Sequence, residues 1–218
     1  MLELNSSEVI QYIPSDYFSA EQVAEEPADA TLEHAVLDWM KYMGVVTDIE
    51  THDLGNRGHE LKVATGGNRN LRDLTHVGVG VSQVLPIVVL CLLSPRGSIL
   101  IFEQPELHLH PRVQSRLADF FLSMTLLGKQ CVVETHSEHL INRLRQRTAS
   151  APGDQISSQV MMYFVEMEDG RSRYTPIPIS PYGTIQNWPK GFFDEGEELA
   201  TAILKAGLSK RRAEGHPK

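Results

Sequence analysis

Two short stretches hold most of the chemistry this sequence can offer. The first reads Glu103, Gln104, Pro105, Glu106, Leu107, His108, Leu109, His110, Pro111, and the second Glu134, Thr135, His136, Ser137, Glu138, His139. Carboxylates hold a hard divalent cation or accept a proton, an amide orients water, and an imidazole donates N–H to a phosphate oxygen or ligates a softer metal. A single acidic residue after an apolar run is most simply a polar loop closing a strand. Two carboxylates, an amide and two imidazoles within one such loop, with a further imidazole at His136, point instead to a ligand.

The elements that must position these groups are readable on either side. Residues 98–102 (SILIF) and 130–134 (QCVVE) are short apolar runs, the pattern of strands buried on both faces of a parallel sheet. Between them, Val113, Leu117, Phe120, Phe121 and Met124 recur at helical spacing, with Pro111 at a first helical position. After the second run, Ser137 is placed to cap a helix reaching Arg147. Strand, helix, strand, helix at these lengths predicts an α/β fold with parallel core strands flanked by helices. Both polar clusters then fall at the C-terminal ends of parallel strands, where such sheets bind ligands.

Upstream, Leu32, Ala35, Val36, Trp39, Met40 and Met43 mark an amphipathic helix ended by Gly44. Residues 45–51 and 60–65, around Gly55 to Gly58, read as a small β-hairpin. Gly78, Gly80, Ser82 and Gln83 open an apolar helix running to Leu93. Downstream, residues 160–166 and 174–179 form a strand pair turning at Asp169 and Gly170. A segment rich in aromatics, Asn187 to Asp194, then leads into a short helix with a solvated basic end at Lys210, Arg211 and Arg212. This divides the chain into a loosely ordered segment at 1–30, an α/β lobe at 31–150 and a C-terminal α+β extension at 151–218.

Bulk properties narrow the function classes. The 218 residues carry 20 Lys and Arg against 28 Asp and Glu, a formal charge of −8, which gives no overall electrostatic case for binding nucleic acid or an anionic membrane. Arg143, Arg145 and Arg147 could touch a phosphate backbone, but a solvated helix end complementing the helix dipole is the simpler reading. The most apolar stretch, residues 84–93, is about half of the ~20 residues a membrane span requires. Cys91 and Cys131 lie in apolar runs and read as reduced core thiols. Together with the lack of a signal-peptide pattern, these features predict a cytoplasmic protein.

The run ILIFEQPELHLHP, Ile99 to Pro111, with Thr135-His136-Ser137 after the next strand, resembles the ABC/SMC-like branch of P-loop ATPases, in particular the RecF- and OLD-like AAA ATPases. In that family the first run is the Walker B motif and the second carries a switch histidine. Gly78, Gly80, Ser82 and Gln83 resemble the signature segment, in a spacing that departs from the common Leu-Ser-Gly-Gly-Gln form. Asn187-Trp188-Pro189-Lys190-Gly191-Phe192-Phe193-Asp194 is similar to a C-terminal domain of unknown function found on some of these ATPases. The resemblance implies a partial P-loop NTPase (ABC-ATPase-like) fold using ATP and Mg²⁺. Glu103 would hold Mg²⁺, His136 would bond the γ-phosphate, and Gly78, Gly80, Ser82 and Gln83 would face a nucleotide held by a second protomer in a head-to-tail homodimer. His108 or His110 would lie near that dimer interface, the other packing or capping a helix. Gln104 stands where the catalytic glutamate usually sits. An amide cannot accept a proton, so either hydrolysis is slow or Glu106 takes that role. OLD-like relatives are often coupled to nucleases or to defence against phage, so an effector protein is a further expected partner.

One part of such a site has no counterpart in the sequence. A P-loop needs Gly-x-x-x-x-Gly-Lys-Ser/Thr after a strand, so that backbone N–H groups wrap the phosphates and Lys reaches their oxygens. Gly128-Lys129, which continues into a strand, is more simply a helix-ending glycine. The sequence looks like the C-terminal lobe of an ATPase that acts with a P-loop-bearing lobe or cognate subunit. Two other readings stand beside it. One is an interaction module of the same fold without catalysis. The other is a metal-dependent hydrolase using His108, His110, His136, Glu103 and Glu106.

Overall fold

The computed structural model of the chain describes residues 31–67, 70–186, 188–189, 191–193 and 195–213. The segment at 1–30 and the motif positions Asn187, Lys190 and Asp194 lie outside the described residues. The chain divides into two compact units, Met1–Arg147 and Thr148–Lys218.

In the first unit, helix α1 (Leu32–Met43) starts at Thr31, whose hydroxyl accepts the His34 N–H, and stops at Gly44 in a left-handed conformation, φ 77°. Strands β1 (Asp48–Asp53) and β2 (His59–Ala64) pair antiparallel as the expected hairpin, closed by a 3₁₀ turn at Gly55–Arg57, and a short β3 (Arg72–Asp73) adds to β2. Helix α2 (Val79–Leu93) follows from its N-cap Gly78. Next come β4 (Ile99–Glu103), α3 (Pro111–Leu126), β5 (Gln130–Glu134) and α4 (Glu138–Ser150). Pro111 takes the first helical position of α3, and Ser137 Oγ accepts the Leu140 N–H to start α4.

The apolar faces of α1, α2 and α3 meet in one core. Trp39 packs edge-on to Phe120, with ring centroids 4.9 Å apart, and to Tyr42 at 5.6 Å. Val84, Val88 and Cys91 of α2 are fully buried, as are Leu117 and Met124 of α3. Lys129, which follows Gly128 (φ 78°), is itself buried. Its ammonium donates to the Cys91 carbonyl at 2.5 Å and so caps the end of α2, while burial pulls its pKa below the usual lysine value. Gly128-Lys129 is thus a helix stop followed by a structural lysine.

Strands β4 and β5 run parallel in register, pairing Ile99 with Gln130 through to Glu103 with Glu134. Burial on both faces, expected from their composition, is not found. Leu100 and Phe102 face inward, Phe102 lying 5.1 Å from the Phe121 ring, but Ile99 and Ile101 are 64% and 70% exposed and Val132 is exposed too. Among the described residues the two strands form a sheet of two, with α3 packed against β5, and the face that carries Ile99, Ile101 and Val132 is exposed.

The proposed roles for the arginines of α4 also change. Arg143 and Arg147 turn to the buried Asp119 of α3, at 2.8 and 2.7 Å, rather than to solvent or an external phosphate. Tyr42 donates its hydroxyl to the same carboxylate. Burial, reinforced by the Asp119 charge, pushes the Tyr42 phenol up to about 12.

In the second unit, β6 (Met162–Glu168) and β7 (Arg171–Ile177) form an antiparallel hairpin turning at Asp169 and Gly170, both at positive φ. Phe192 is buried against Phe164 at 5.7 Å, Trp188 at 5.2 Å and Phe193 at 4.8 Å, so the aromatic motif makes a small core. The final helix, α5 (Glu195–Ala213), is 19 residues long rather than short. Leu199, Ile203, Leu204 and Leu208 are exposed along it.

Candidate functional site

The parallel register sets the site, because it ends both strands on a glutamate at the same level. Glu103 and Glu134 are Cα partners, and both are exposed on the open face of the sheet. Gln104 continues the pairing by one bond, its N–H reaching the Glu134 carbonyl at 2.9 Å. That bond holds Gln104 at φ 44°, a left-handed conformation that a non-glycine residue adopts only when its surroundings impose it. His108 is likewise at φ 61°. The loop between β4 and α3 is therefore tightly wound.

Glu106 fastens the two strand ends together. It is 6% exposed, and its Oε1 accepts the backbone N–H of His136 at 2.7 Å, while Oε2 is buried without a hydrogen-bond partner among the described residues. Gln114 of α3 adds a second tie, donating to the Leu109 carbonyl at 2.9 Å and accepting from Ser137 Oγ at 2.6 Å. Both ties hold the loops after β4 and β5 in one arrangement. The His136 ring projects outward, 78% exposed, with Nε2 3.4 Å from Glu134 Oε1. Gln104 Nε2 donates to the same oxygen at 3.4 Å.

The other sequence candidates distribute as follows. His110 caps α3, its Nδ1 accepting the Arg112 N–H at 3.3 Å. Gly78 and Gly80 lie at the start of α2, and a Cβ built on Gly80 would meet Leu109 Cδ2 at 3.4 Å. The glycine-rich turn thus packs against the loop that follows Glu103. Ser82 bonds within its own helix, to the Val79 carbonyl at 2.9 Å, and Gln83 is half-buried one residue on. Among the described residues no three His, Cys, Asp or Glu side chains are grouped to hold a metal ion. The His/Glu hydrolase centre is not assembled, because Glu106 faces inward and His110 is used as a cap.

Sequence reasoning names Glu134 in the second polar stretch but gives it no role beyond ending the strand. Its signal was available: a carboxylate at a parallel strand end, beside the strand carrying Glu103. What the sequence could not give was the register that brings it to Gln104.

Residues 43–142 match the family described as “AAA domain, putative AbiEii toxin, Type IV TA system”. That match, over a little under half of the chain, supports an ABC/SMC-like AAA-family ATPase lobe. Residues 157–201 match a second family, described as “Protein of unknown function (DUF3696)”. Among solved structures, the fold resembles an Smc head bound to the C-winged helix domain of ScpA, with a TM-score of 0.51 at 13% identity over 68% of this chain and 42% of that one. It also resembles the Smc head with an extended coiled coil bound to the C-terminal domain of ScpA derived from Pyrococcus furiosus, with a TM-score of 0.51 at 12% identity over 80% and 37%. The chain thus spans about two fifths of the length of these heads. No curated protein sequence matches it. The lobe has a mixed α/β fold of the P-loop NTPase type, as those heads have. No helix among the described residues is long and apolar enough to cross a membrane.

Proposed function

We propose that the lobe supplies the Walker B, switch-histidine and signature side of an ATP site whose phosphate grip comes from a P-loop-bearing lobe, in the same protein or a cognate subunit. The observation that carries this reading is the shared strand-end mouth. Glu103 and His136, assigned independently from two motifs, sit at adjacent strand ends, joined by in-register pairing and by the Glu106 to His136 bond. A carboxylate and an exposed imidazole at neighbouring strand ends support a mouth that takes a phosphate chain and its cation.

The donor set fits magnesium as it is usually bound with nucleotides. Such a site takes one or two carboxylates, waters and substrate phosphate oxygens rather than a full protein cage. Glu103 would hold the ion, and Mg²⁺, when bound, supplies charge neutralisation on the β- and γ-phosphate oxygens. His136 donates its ring N–H to the γ-phosphate. Gly78, Gly80, Ser82 and Gln83, at the N-terminus of α2, offer backbone N–H groups and a helix dipole to the nucleotide of a second protomer in a head-to-tail dimer. The open face of β4 and β5, lined by Ile99, Ile101 and Val132, is the surface on which the P-loop lobe docks. This reading gives the lobe no contact with nucleic acid, since Arg143 and Arg147 are spent on Asp119.

The test is reconstitution. The chain alone turns over no ATP, and the chain with its P-loop-bearing lobe does so in a manner abolished by Glu103→Ala. Steady turnover by the pure chain, lost on Glu103→Ala, contradicts the division of labour.

A further inference from the structure

We propose that Glu134 is the general base of the ATP site, taking the proton that Gln104 cannot accept. This rests on the nucleotide-site reading above. A base must be a carboxylate or imidazole at the mouth, reachable by water, and beside the group that orients that water. Of the three glutamates at the strand ends, Glu106 is excluded by position: one oxygen is bound to the His136 N–H and the other is buried. Glu103 is assigned to the cation. Glu134 is left, its side chain 52% exposed on the open face of the sheet.

Its neighbours are those a base requires. Gln104 touches Glu134 twice, through its N–H to the backbone carbonyl at 2.9 Å and through Nε2 to Oε1 at 3.4 Å. His136 Nε2 lies 3.4 Å from the same oxygen. The amide at position 104 and the carboxylate at position 134 therefore form one unit, split across adjacent strands. Gln104 orients the water by hydrogen bonding, and Glu134 removes its proton. The strained φ of Gln104 is the backbone consequence of clamping it to this partner. The contacts at 3.4 Å are long, as catalytic hydrogen bonds often are before substrate closes the site.

The step balances as ordinary hydrolysis. A water O–H bond breaks and its proton goes to Glu134. The hydroxide oxygen forms a bond to the γ-phosphorus while the bond from that phosphorus to the β,γ-bridging oxygen breaks, its electron pair leaving with ADP. The proton on Glu134 then passes to solvent or to the departing phosphate.

The experiment uses the full assembly, the chain with its P-loop-bearing lobe, and compares wild type, Glu134→Gln, and Glu134→Gln combined with Gln104→Glu. Glu134→Gln is expected to lower kcat by about 10²–10⁴-fold. ATP affinity by calorimetry, the Mg²⁺ concentration for half-maximal binding and ATP-dependent association by sedimentation are expected to stay within about twofold, because glutamine keeps the size of the side chain and an oxygen beside His136, and Glu103 and the glycine-rich turn are unchanged. The double variant is expected to regain at least tenfold of the lost kcat, since it returns a carboxylate to the adjacent strand end. Unchanged kcat in Glu134→Gln overturns the proposal. So does a loss of ATP or Mg²⁺ binding in step with kcat, which would make Glu134 a ligand or a structural residue, and so does absence of rescue in the double variant. A wild-type assembly that neither binds nor hydrolyses ATP fails at the earlier level and removes the nucleotide site together with its base.

Discussion

At the residue scale, the chemistry depends on which carboxylates are free and which are committed. Glu103 and Glu134 face outward, whereas Glu106 is inside, bonded to a backbone N–H. Removing a buried acceptor of this kind leaves the His136 N–H unpaired, so Glu106→Ala should destabilise the lobe by about 1.5–3 kcal/mol, measured by denaturant unfolding. It should also disorder the His136 loop, seen as faster amide exchange at residues 135–137. Equal stability with unchanged exchange would show that Glu106 does not hold the loop. The motif run made Glu103, Gln104, Glu106 and His136 legible as a group. Their division of labour was not, because sequence spacing cannot say which of two carboxylates, at positions 103 and 106, turns inward. Glu134 was given no role for a related reason, since its partner Gln104 is thirty residues away and only strand register brings the two together.

At the element scale, α1, α3 and α4 are joined by the polar knot of Tyr42, Asp119, Arg143 and Arg147. A buried carboxylate between two arginines is weak evidence for net stability, yet costly to break. Asp119→Asn should cost about 3–5 kcal/mol, read as a fall in the denaturant midpoint. The Tyr42 phenol gives the knot a pH signature. Its folded pKa, about 12, lies above the ordinary value of 10.0, so its contribution is fully present below pH 10. That contribution is lost as pH rises toward about 12, because the unfolded chain ionises first. Tyr42→Phe should flatten this part of the alkaline stability profile while costing about 1.5–3 kcal/mol at neutral pH, and an unchanged alkaline slope would place the titration elsewhere. Helices were legible from their apolar spacing, and Gly44, Pro111 and Ser137 marked their ends. The arginines of α4 were not, since at helical spacing a buried partner on another helix and open solvent look alike.

At the scale of the whole molecule, the open face of β4 and β5 is the main departure from a self-sufficient α/β domain. Their apolar composition predicted burial on both sides, and the exposure of Ile99 and Ile101 shows one side without cover among the described residues. Apolar composition therefore predicted the inward face of these strands and not the exposure of the other. Ile101→Lys should leave the stability of the lobe within about 0.5 kcal/mol, because the site is exposed, while weakening association with the P-loop-bearing lobe. Loss of stability without loss of association would place that lobe elsewhere. The most direct test of the account is ATP turnover measured on three samples at equal concentration: the chain alone, the P-loop-bearing lobe alone, and the two together. The account predicts turnover only in the mixture, abolished by Glu103→Ala and by His136→Ala in this chain. Full turnover by the P-loop-bearing lobe alone, unaffected by adding wild-type or variant chain, would contradict it.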